Sequence, residues 1–376
     1  VLKLTIQIKL LPTSEQSKAL KTTLELANEA ANRLSQLGWE AKEFRQFPLH
    51  KRFYRQIRDE FPTLSSQVVI RLNAKVADAY KLDRKVQLTF RRHGSISYDA
   101  RILDFQLAAS TVSIWAVGGR IKGLPFVCGE TQRKLLELPR GESDLILRDR
   151  KWYLNVTVDV PEEREYEATG WLGVDMGVVN IATTSDGVNY AGGHLNNLRE
   201  RNSRLRTRLQ RKGTKSARKL RNKRRYKEGR FARNTNHVIS KQIVEKAKRT
   251  GQGIAIEELD GIRDRIRASK PQRRRLHSWA FADLRAKLEY KAKRAGVPVR
   301  LIDPRNTSRT CPGCGNVDKR NRRTRDEFLC VSCGHSGPAD TIASVNIGRA
   351  AINLPHVGTL GVHKGLTARV LTNHGL

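Results

Sequence analysis

Cys311-Pro312-Gly313-Cys314-Gly315 and Cys330-Val331-Ser332-Cys333-Gly334, with Asp340-Thr341-Ile342-Ala343-Ser344-Val345-Asn346-Ile347 just beyond, carry the reading of this chain. The cysteines form C-x2-C-x15-C-x2-C, a spacing that suits one tetrahedral zinc ion. Four thiolates leave no open coordination position, so the expected zinc is structural. A glycine after the second thiol of each pair permits a tight turn. His335 is an alternative ligand that four cysteines make unnecessary. Cys128 is left over, beside the apolar run Leu124-Pro125-Phe126-Val127, and is expected to be a small core residue.

Working back from Asp340, two further isolated acids end apolar strand-like runs. Gly173-Val174-Asp175-Met176-Gly177 is one, and Ile254-Ala255-Ile256-Glu257 is the other. Each acid alone also has a plainer reading: a surface turn for Asp175, and a helix N-terminus for Glu257 and Asp340. Together they have a shared logic. Clustered carboxylates repel, and divalent cations with a taste for oxygen ligands relieve that repulsion. Three such acids meeting in space would hold two Mg2+ ions suited to phosphodiester hydrolysis. No Ser-His-Asp or Cys-His arrangement has comparable support.

Composition points to a polyanion partner. The 376 residues hold 72 Lys+Arg against 37 Asp+Glu, a formal charge of +35. Self-repulsion on that scale is offset when phosphates displace counterions. The charge is concentrated. Residues 196–233 carry 17 Lys/Arg and two acids, with Leu198, Leu205, Leu209 and Leu220 at helical intervals, so helices are expected there rather than a disordered arm. Residues 263–275 carry seven Lys/Arg and one acid around Pro271. The candidate phosphate contacts are Arg204, Arg208, Arg211, Lys212, Lys219, Arg224, Arg225, Arg273, Arg274 and Arg275. Arg322 and Arg323, between the cysteine pairs, complete the set. No apolar run approaches membrane-spanning length and no secretory pattern opens the sequence. With the cysteine usage, this reads as a reducing, cytoplasmic setting in a bacterium or archaeon, associated with the nucleoid.

Hydrophobic periodicity supplies the organisation. Leu2–Leu10 alternates as a half-buried strand, and Thr13 or Ser14 can cap the helix that follows. Residues 11–90 read as a helical module inserted after that strand. Short alternating strands then resume up to Val160, suggesting a small antiparallel barrel. Trp39, Phe44, Phe47, Phe53 and Tyr54 are expected mostly in the core, with stacking on an unpaired base as the alternative for one of them. Beyond the acidic stretch Pro161–Glu165, helices alternate with strands as in an α/β domain, interrupted by the cysteine segment.

The order of motifs resembles the TnpB family of transposon-associated RNA-guided nucleases, relatives of the type V CRISPR effectors. The resemblance rests on Gly173-Val174-Asp175-x-Gly177, Ile256-Glu257-Glu258-Leu259, His277-Ser278-Trp279-x-Phe281, Leu288-x-Tyr290-Lys291-Ala292, Thr307-Ser308-x-x-Cys311-x-x-Cys314-Gly315, Cys330-x-x-Cys333-Gly334 and Asp340-x-x-Ala343-x-x-Asn346-Ile347. It covers roughly residues 170–350, with a looser match over Leu10–Gln16.

It implies a multidomain α+β and α/β protein. A wedge β-barrel would use residues 1–10 as first strand and 91–165 as remainder, with a recognition module at 11–90. An RNase H-like, RuvC-type domain would follow at 166–304, with a basic helical insertion at 196–250. A zinc ribbon at 305–336 would interrupt it before its second part and tail at 337–376. It implies Asp175, Glu257 and Asp340 as catalytic acids holding two Mg2+, and Cys311, Cys314, Cys330 and Cys333 holding one Zn2+. The implied partners are a guide RNA from the transposon end and double-stranded target DNA beside a short motif. One copy per guide RNA is expected, with a dimer left open. The alternatives are a nuclease-inactive RNA-guided repressor of the same architecture, and a general zinc-ribbon RNA-binding protein. One departure stands out: the family often has Asn two residues after the third acid, where this chain has Ile342, which puts a supporting hydrogen bond in doubt.

Overall fold

The computed structural model describes residues 1–259 and 281–352. The stretch around Arg273, Arg274 and Arg275, the His277-Ser278-Trp279 motif and the tail from residue 353 lie outside the described residues. The chain divides into two compact units after Pro161.

In the first unit, β1 (Leu2–Leu10) pairs along its whole length with β7 (Lys151–Val160), Leu2 opposite Val160 and Leu10 opposite Trp152. Its alternation puts Ile6, Ile8 and Leu10 inside, as a strand with one apolar face requires. With β2 (Ile96–Tyr98), β3 (Leu103–Gln106), β4 (Thr111–Ala116), β5 (Gly119–Val127) and β6 (Arg140–Arg148) it makes one antiparallel sheet ordered β2-β6-β7-β1-β5-β4-β3. The sheet curls into a nearly closed barrel: Tyr98 of β2 donates its hydroxyl hydrogen to the Trp115 carbonyl of β4 at 3.1 Å.

Between β1 and β2 come α1 (Ser14–Glu40), α2 (Gln46–Glu60) and α3 (Ser66–Leu82). Thr13 caps α1 reciprocally with Gln16: the Gln16 amide donates to the Thr13 hydroxyl, and the Thr13 amide to the Gln16 side chain. Ser65 caps α3. Leu20, Leu24, Leu34, Val68, Leu72 and Val76 close onto the same core as the barrel. Two expectations hold in part. Phe47, in the first turn of α2, is 81% exposed, while Phe53 is buried and Trp39, Phe44 and Tyr54 are half-buried. Cys128 is half-buried, because it follows β5 where the chain leaves the barrel for the short helix α4 (Glu130–Leu136).

The second unit is a three-layer α/β/α arrangement. Strands β8 (Trp171–Asp175), β11 (Gly253–Glu257) and β12 (Val299–Ile302) run parallel, and β9 (Asn180–Thr184) and β10 (Asn189–Ala191) add an antiparallel edge, in the order β10-β9-β8-β11-β12. After β10 come α5 (Gly193–Lys212), α6 (Lys215–Arg224) and α7 (Lys227–Thr250). The helix over Phe281–Arg294 is α8, and that over Ala339–Ile352 is α9. Leu172, Val174, Ile254 and Ile256 point to one face and meet Ile239, Ile243 and Val244 of α7 and Leu284 and Leu288 of α8.

The other face of the sheet is built small. Gly173 and Ala255 point toward α9, and Ile347 and Ala351 of α9 pack there. A Cβ on Gly173 would lie 1.9 Å from the Ser344 carbonyl oxygen, and one on Gly348 would lie 2.9 Å from the Trp171 carbonyl oxygen. Helix and strand therefore cross with backbone against backbone. The basic stretch forms helices, as its leucine spacing predicts. In α5 and α6, Leu198, Leu205 and Leu209 are only half-buried and Leu220 is exposed. Leu195, at the start of α5, is its one buried residue.

Gly173→Ala is expected to destabilise this unit by about 3 kcal/mol or more, above the usual overpacking cost, because backbone cannot rotate aside as a side chain would. Chemical denaturation checks it; a midpoint equal to that of the unaltered chain would refute the close crossing.

Candidate metal centres and their setting

Three elements of the second unit deliver one carboxylate each. Asp175 is the last residue of β8 and Glu257 the last of β11, and the two strands are parallel neighbours with Ile256 opposite Val174. Their ends therefore open side by side. Asp340 comes from the first turn of α9, whose position over β8 is set by the Gly173–Gly348 crossing. It stands inside the helix rather than at the cap position considered from sequence. All three line one cavity of about 270 Å³, shared with Gly177, Thr307, Ser308, Arg322 and Arg325.

The electrostatics are those of an acidic cluster short of counter-charge. Burial pushes the Asp175 carboxyl up to about 7, helped by the facing Glu257 and Asp340 carboxylates; Arg322 and the Met176 amide pull the other way. Burial also raises Glu257, opposed by the Thr307 hydroxyl, which donates to Oε1 at 2.6 Å. Asn180, at the start of β9, donates its amide to Asp340 Oδ2 at 2.9 Å. The Arg322 guanidinium lies 3.7 Å from Asp340 Oδ1. Hard carboxylate oxygens in this number suit Mg2+.

Asn180, the contact of Thr307 with Glu257 and the inward placement of Arg322 were missed by sequence reasoning. Arg322 had been read only as a phosphate contact. A signal for Asn180 existed: five residues after Asp175, it begins the antiparallel return strand. The Ile342 departure has a simple physical outcome. Ile342 is buried with Cys311, Phe328, Cys330 and Ala339, so this position faces the apolar core of the cysteine segment. Orientation of Asp340 comes from Asn180 instead.

The four cysteines meet. Cys311 Sγ lies 3.6 Å from Cys333 Sγ, and Cys314 Sγ lies 3.5 Å from Cys330 Sγ. All four sulfurs fall within 4.8 Å of one another. A disulfide needs about 2.05 Å, whereas sulfurs about 2.3 Å from one tetrahedral zinc stand about 3.8 Å apart. The donor set fits zinc. Amides turn toward the sulfurs as well: Gly313 to Cys311 at 3.3 Å, Ser332 to Cys330 at 3.4 Å. Those of Cys333 and Ser332 hold the Cys330 thiol down to about 6. Gly315 and Gly334, after each pair, have φ of 75° and 73°, the left-handed turns that glycine allows. Among the described residues no other group of His, Cys, Asp or Glu side chains is as compact. Asp175, Glu257 and Asp340 therefore line one cavity without bringing their carboxylate oxygens as close together as the four sulfurs.

The two centres are joined. β13 (Glu327–Leu329) pairs with β14 (Ser336–Pro338), and α9 starts at the next residue. The Ala339 amide donates to the Asp326 carbonyl at 2.9 Å. Buried Asn321 ties the loop between the cysteine pairs, donating to the carbonyls of Arg309 (2.9 Å) and Asn316 (3.2 Å) and accepting from the Val331 amide (2.9 Å). Asn346 of α9 donates to the carbonyls of Thr307 and Thr310, each at 2.8 Å. Of the other candidate contacts, Arg204, Arg208, Arg211, Lys212, Lys219, Arg224 and Arg225 are exposed on or at the ends of α5 and α6, and Arg323 is exposed in the loop. No described helix is long and apolar enough to cross a membrane.

Residues 281–347 match the family model described as Cas12f1-like, TNB domain. The chain is 35% identical over 218 residues to a CRISPR-associated endodeoxyribonuclease Cas12f1 of Sulfoacidibacillus thermotolerans, covering 53% of this chain and 50% of that one. It is 32% identical over 158 residues to a TnpB-like protein of Methanocaldococcus jannaschii, covering 41% and 56%. The chain spans about half the length of the curated relatives it matches. Its fold is similar to that in the cryo-EM structure of a Cas12f1-sgRNA-target DNA complex, with a TM-score of 0.60, 16% identity, and coverage of 88% and 81%.

If the sulfurs hold zinc and the carboxylates hold Mg2+, zinc removal by a chelator, or Cys330→Ser, is expected to loosen the first turn of α9 and weaken Mg2+ binding by about tenfold or more. Calorimetric Mg2+ titration decides it, and an unaltered affinity would uncouple the centres. A second expectation concerns pH. Folded Asp175 keeps its proton up to about 7, while the ordinary value is 3.8. Between those values the native state binds more protons, so its contribution makes the metal-free chain less stable as pH rises. Asp175→Asn should remove that downward slope in denaturation midpoints, and identical slopes in both proteins would contradict the assignment.

Proposed function

We propose, from the premise that the chain is a relative of the TnpB and type V effector proteins, that it is an RNA-guided DNA endonuclease. On this reading Asp175, Glu257 and Asp340 are its catalytic acids, and the second unit is a RuvC-like, RNase H-type nuclease domain interrupted by a zinc ribbon. The observation that carries the proposal is the convergence of three carboxylates from distant segments on one cavity of a strongly basic chain.

Magnesium bound by these acids would supply Lewis acidity and lower the pKa of a coordinated water. The chain's own residues do the rest. Thr307 orients Glu257, and Asn180 orients Asp340. Arg322, partly neutralising Asp340, stands where a scissile phosphate approaching the acids would meet a guanidinium. Exposed arginines of α5 and α6 would follow the phosphate backbone, and guide pairing would supply sequence choice. The wedge and recognition roles of the first unit, the transposon-end origin of the guide and the double-strand break belong to this proposal too. A nuclease-inactive repressor is the lesser reading, because all three acidic positions are filled and share the cavity.

The test is cleavage of double-stranded DNA by the protein assembled with a programmed guide RNA, with and without Mg2+. Cutting should follow a changed guide, and Asp175→Ala should abolish it, on the order of 10³-fold or more, while guided DNA binding persists. Guided binding without any cutting would favour the repressor. Binding indifferent to the guide would leave only a nucleic-acid-binding protein.

A further inference from the structure

The two helices that follow β10 enclose a cleft of about 540 Å³, lined by Leu198, Arg201, Asn202, Arg204, Leu205, Arg208 and Arg224. Positions 198, 201, 202, 205 and 208 share one stripe of α5, at spacings of three and four. Leucines at such a spacing normally seal a helix onto a core. Here Leu198 and Leu205 remain half-buried and form the floor of an open cleft.

The few acids nearby sort the arginines into two sets. Glu228 holds Arg199 and Arg206, and Glu200 holds Arg204. Arg201, Arg208 and Arg224 have no hydrogen-bonded or ionic partner among the described residues, and all three are on the cleft. Three guanidinia without a partner among the described residues, and that of paired Arg204, therefore border an apolar floor. Asn202 adds an amide, with both donor and acceptor, to the same lining.

A bare phosphate gains nothing from leucines, and pressing it against them strips part of its hydration at a cost. A duplex keeps its base faces stacked, so it offers phosphates to the arginines and nothing to the floor. An unpaired nucleotide satisfies every part of the lining: base face on Leu198 and Leu205, base edge to Asn202, flanking phosphates on the free arginines. The volume falls in the range of clefts that take small organic ligands, about 300–1,000 Å³. We propose that the cleft between α5 and α6 is a binding site for an unpaired nucleotide within a single-stranded segment of nucleic acid. This deepens the function proposed above and rests on its polynucleotide partners.

The experiment uses the full chain and two fluorescent probes, a short oligouridylate and a blunt-ended DNA duplex, followed by anisotropy over a salt series. The paired variant Leu198→Ala/Leu205→Ala removes the floor and keeps the charge. It should weaken oligouridylate binding about tenfold, with an unchanged salt slope and unchanged duplex binding. The triple variant Arg201→Ala/Arg208→Ala/Arg224→Ala should make the single-strand slope of log K against log salt shallower by about 2. Leu198→Met/Leu205→Met, which keeps an apolar floor, should retain binding, and melting curves identify any variant that fails to fold. Equal losses on both probes, or no loss with the leucine pair, overturn the assignment while leaving guided cleavage standing. Failure of the unaltered chain to bind the oligouridylate overturns the assignment as well, and guided cleavage is decided by its own assay.

Discussion

The second unit depends on one close approach, the crossing of α9 over β8 at Gly173 and Gly348. With side chains absent at both positions, the helix backbone comes down onto the strand backbone. That approach lets the first turn of α9 reach the open end of the sheet, where β8 and β11 finish. A helix held off by even one methyl group would carry Asp340 away from Asp175 and Glu257. The neighbouring Ala255 is small for the same reason. The opposite face, which has no such task, is built from Leu172, Val174, Ile254 and Ile256 in ordinary apolar packing.

Against that geometry stands an electrostatic cost. Three half-buried carboxylates share a cavity, and burial raises two of them. The chain meets the cost partly with its own groups. Asn180 and Thr307 give hydrogen bonds, and Arg322 gives charge from beyond the sheet. The raised Asp175 carboxyl shows what is left over. A net charge of +35 does not cancel it, because most of that charge is exposed on helices and loops and screened by solvent. A divalent cation placed among the oxygens is the direct remedy.

The cysteine segment acts on the same geometry from the other side. Its sulfurs stand where one zinc would hold them, and its small apolar core includes Ala339 and Ile342 on either side of Asp340. The metal that would brace this ribbon is therefore tied, through two buried side chains, to the acid in the neighbouring cavity. Asn321 and Asn346 secure the loops on which Arg322 and Thr307 sit. The two centres differ in chemistry, soft sulfur against hard oxygen, and share a scaffold.

Much of this was legible from residue order alone. Alternation marked β1, a cap at Thr13 or Ser14 marked the start of α1, and the cysteine spacing marked a four-sulfur cluster. Those signals are local, since strand period, capping and knuckle turns involve residues a few positions apart. The acids could be singled out as strand-ending carboxylates, but their meeting is a property of a parallel sheet and of a helix crossing it. Only the tertiary structure decided which leucines of α5 stay uncovered, that Phe47 faces solvent, that Arg322 turns inward and that Asn180 rather than position 342 steadies Asp340. Each of those outcomes depends on what a distant segment brings alongside. A periodic pattern records that a face is apolar, and not what, if anything, will cover it.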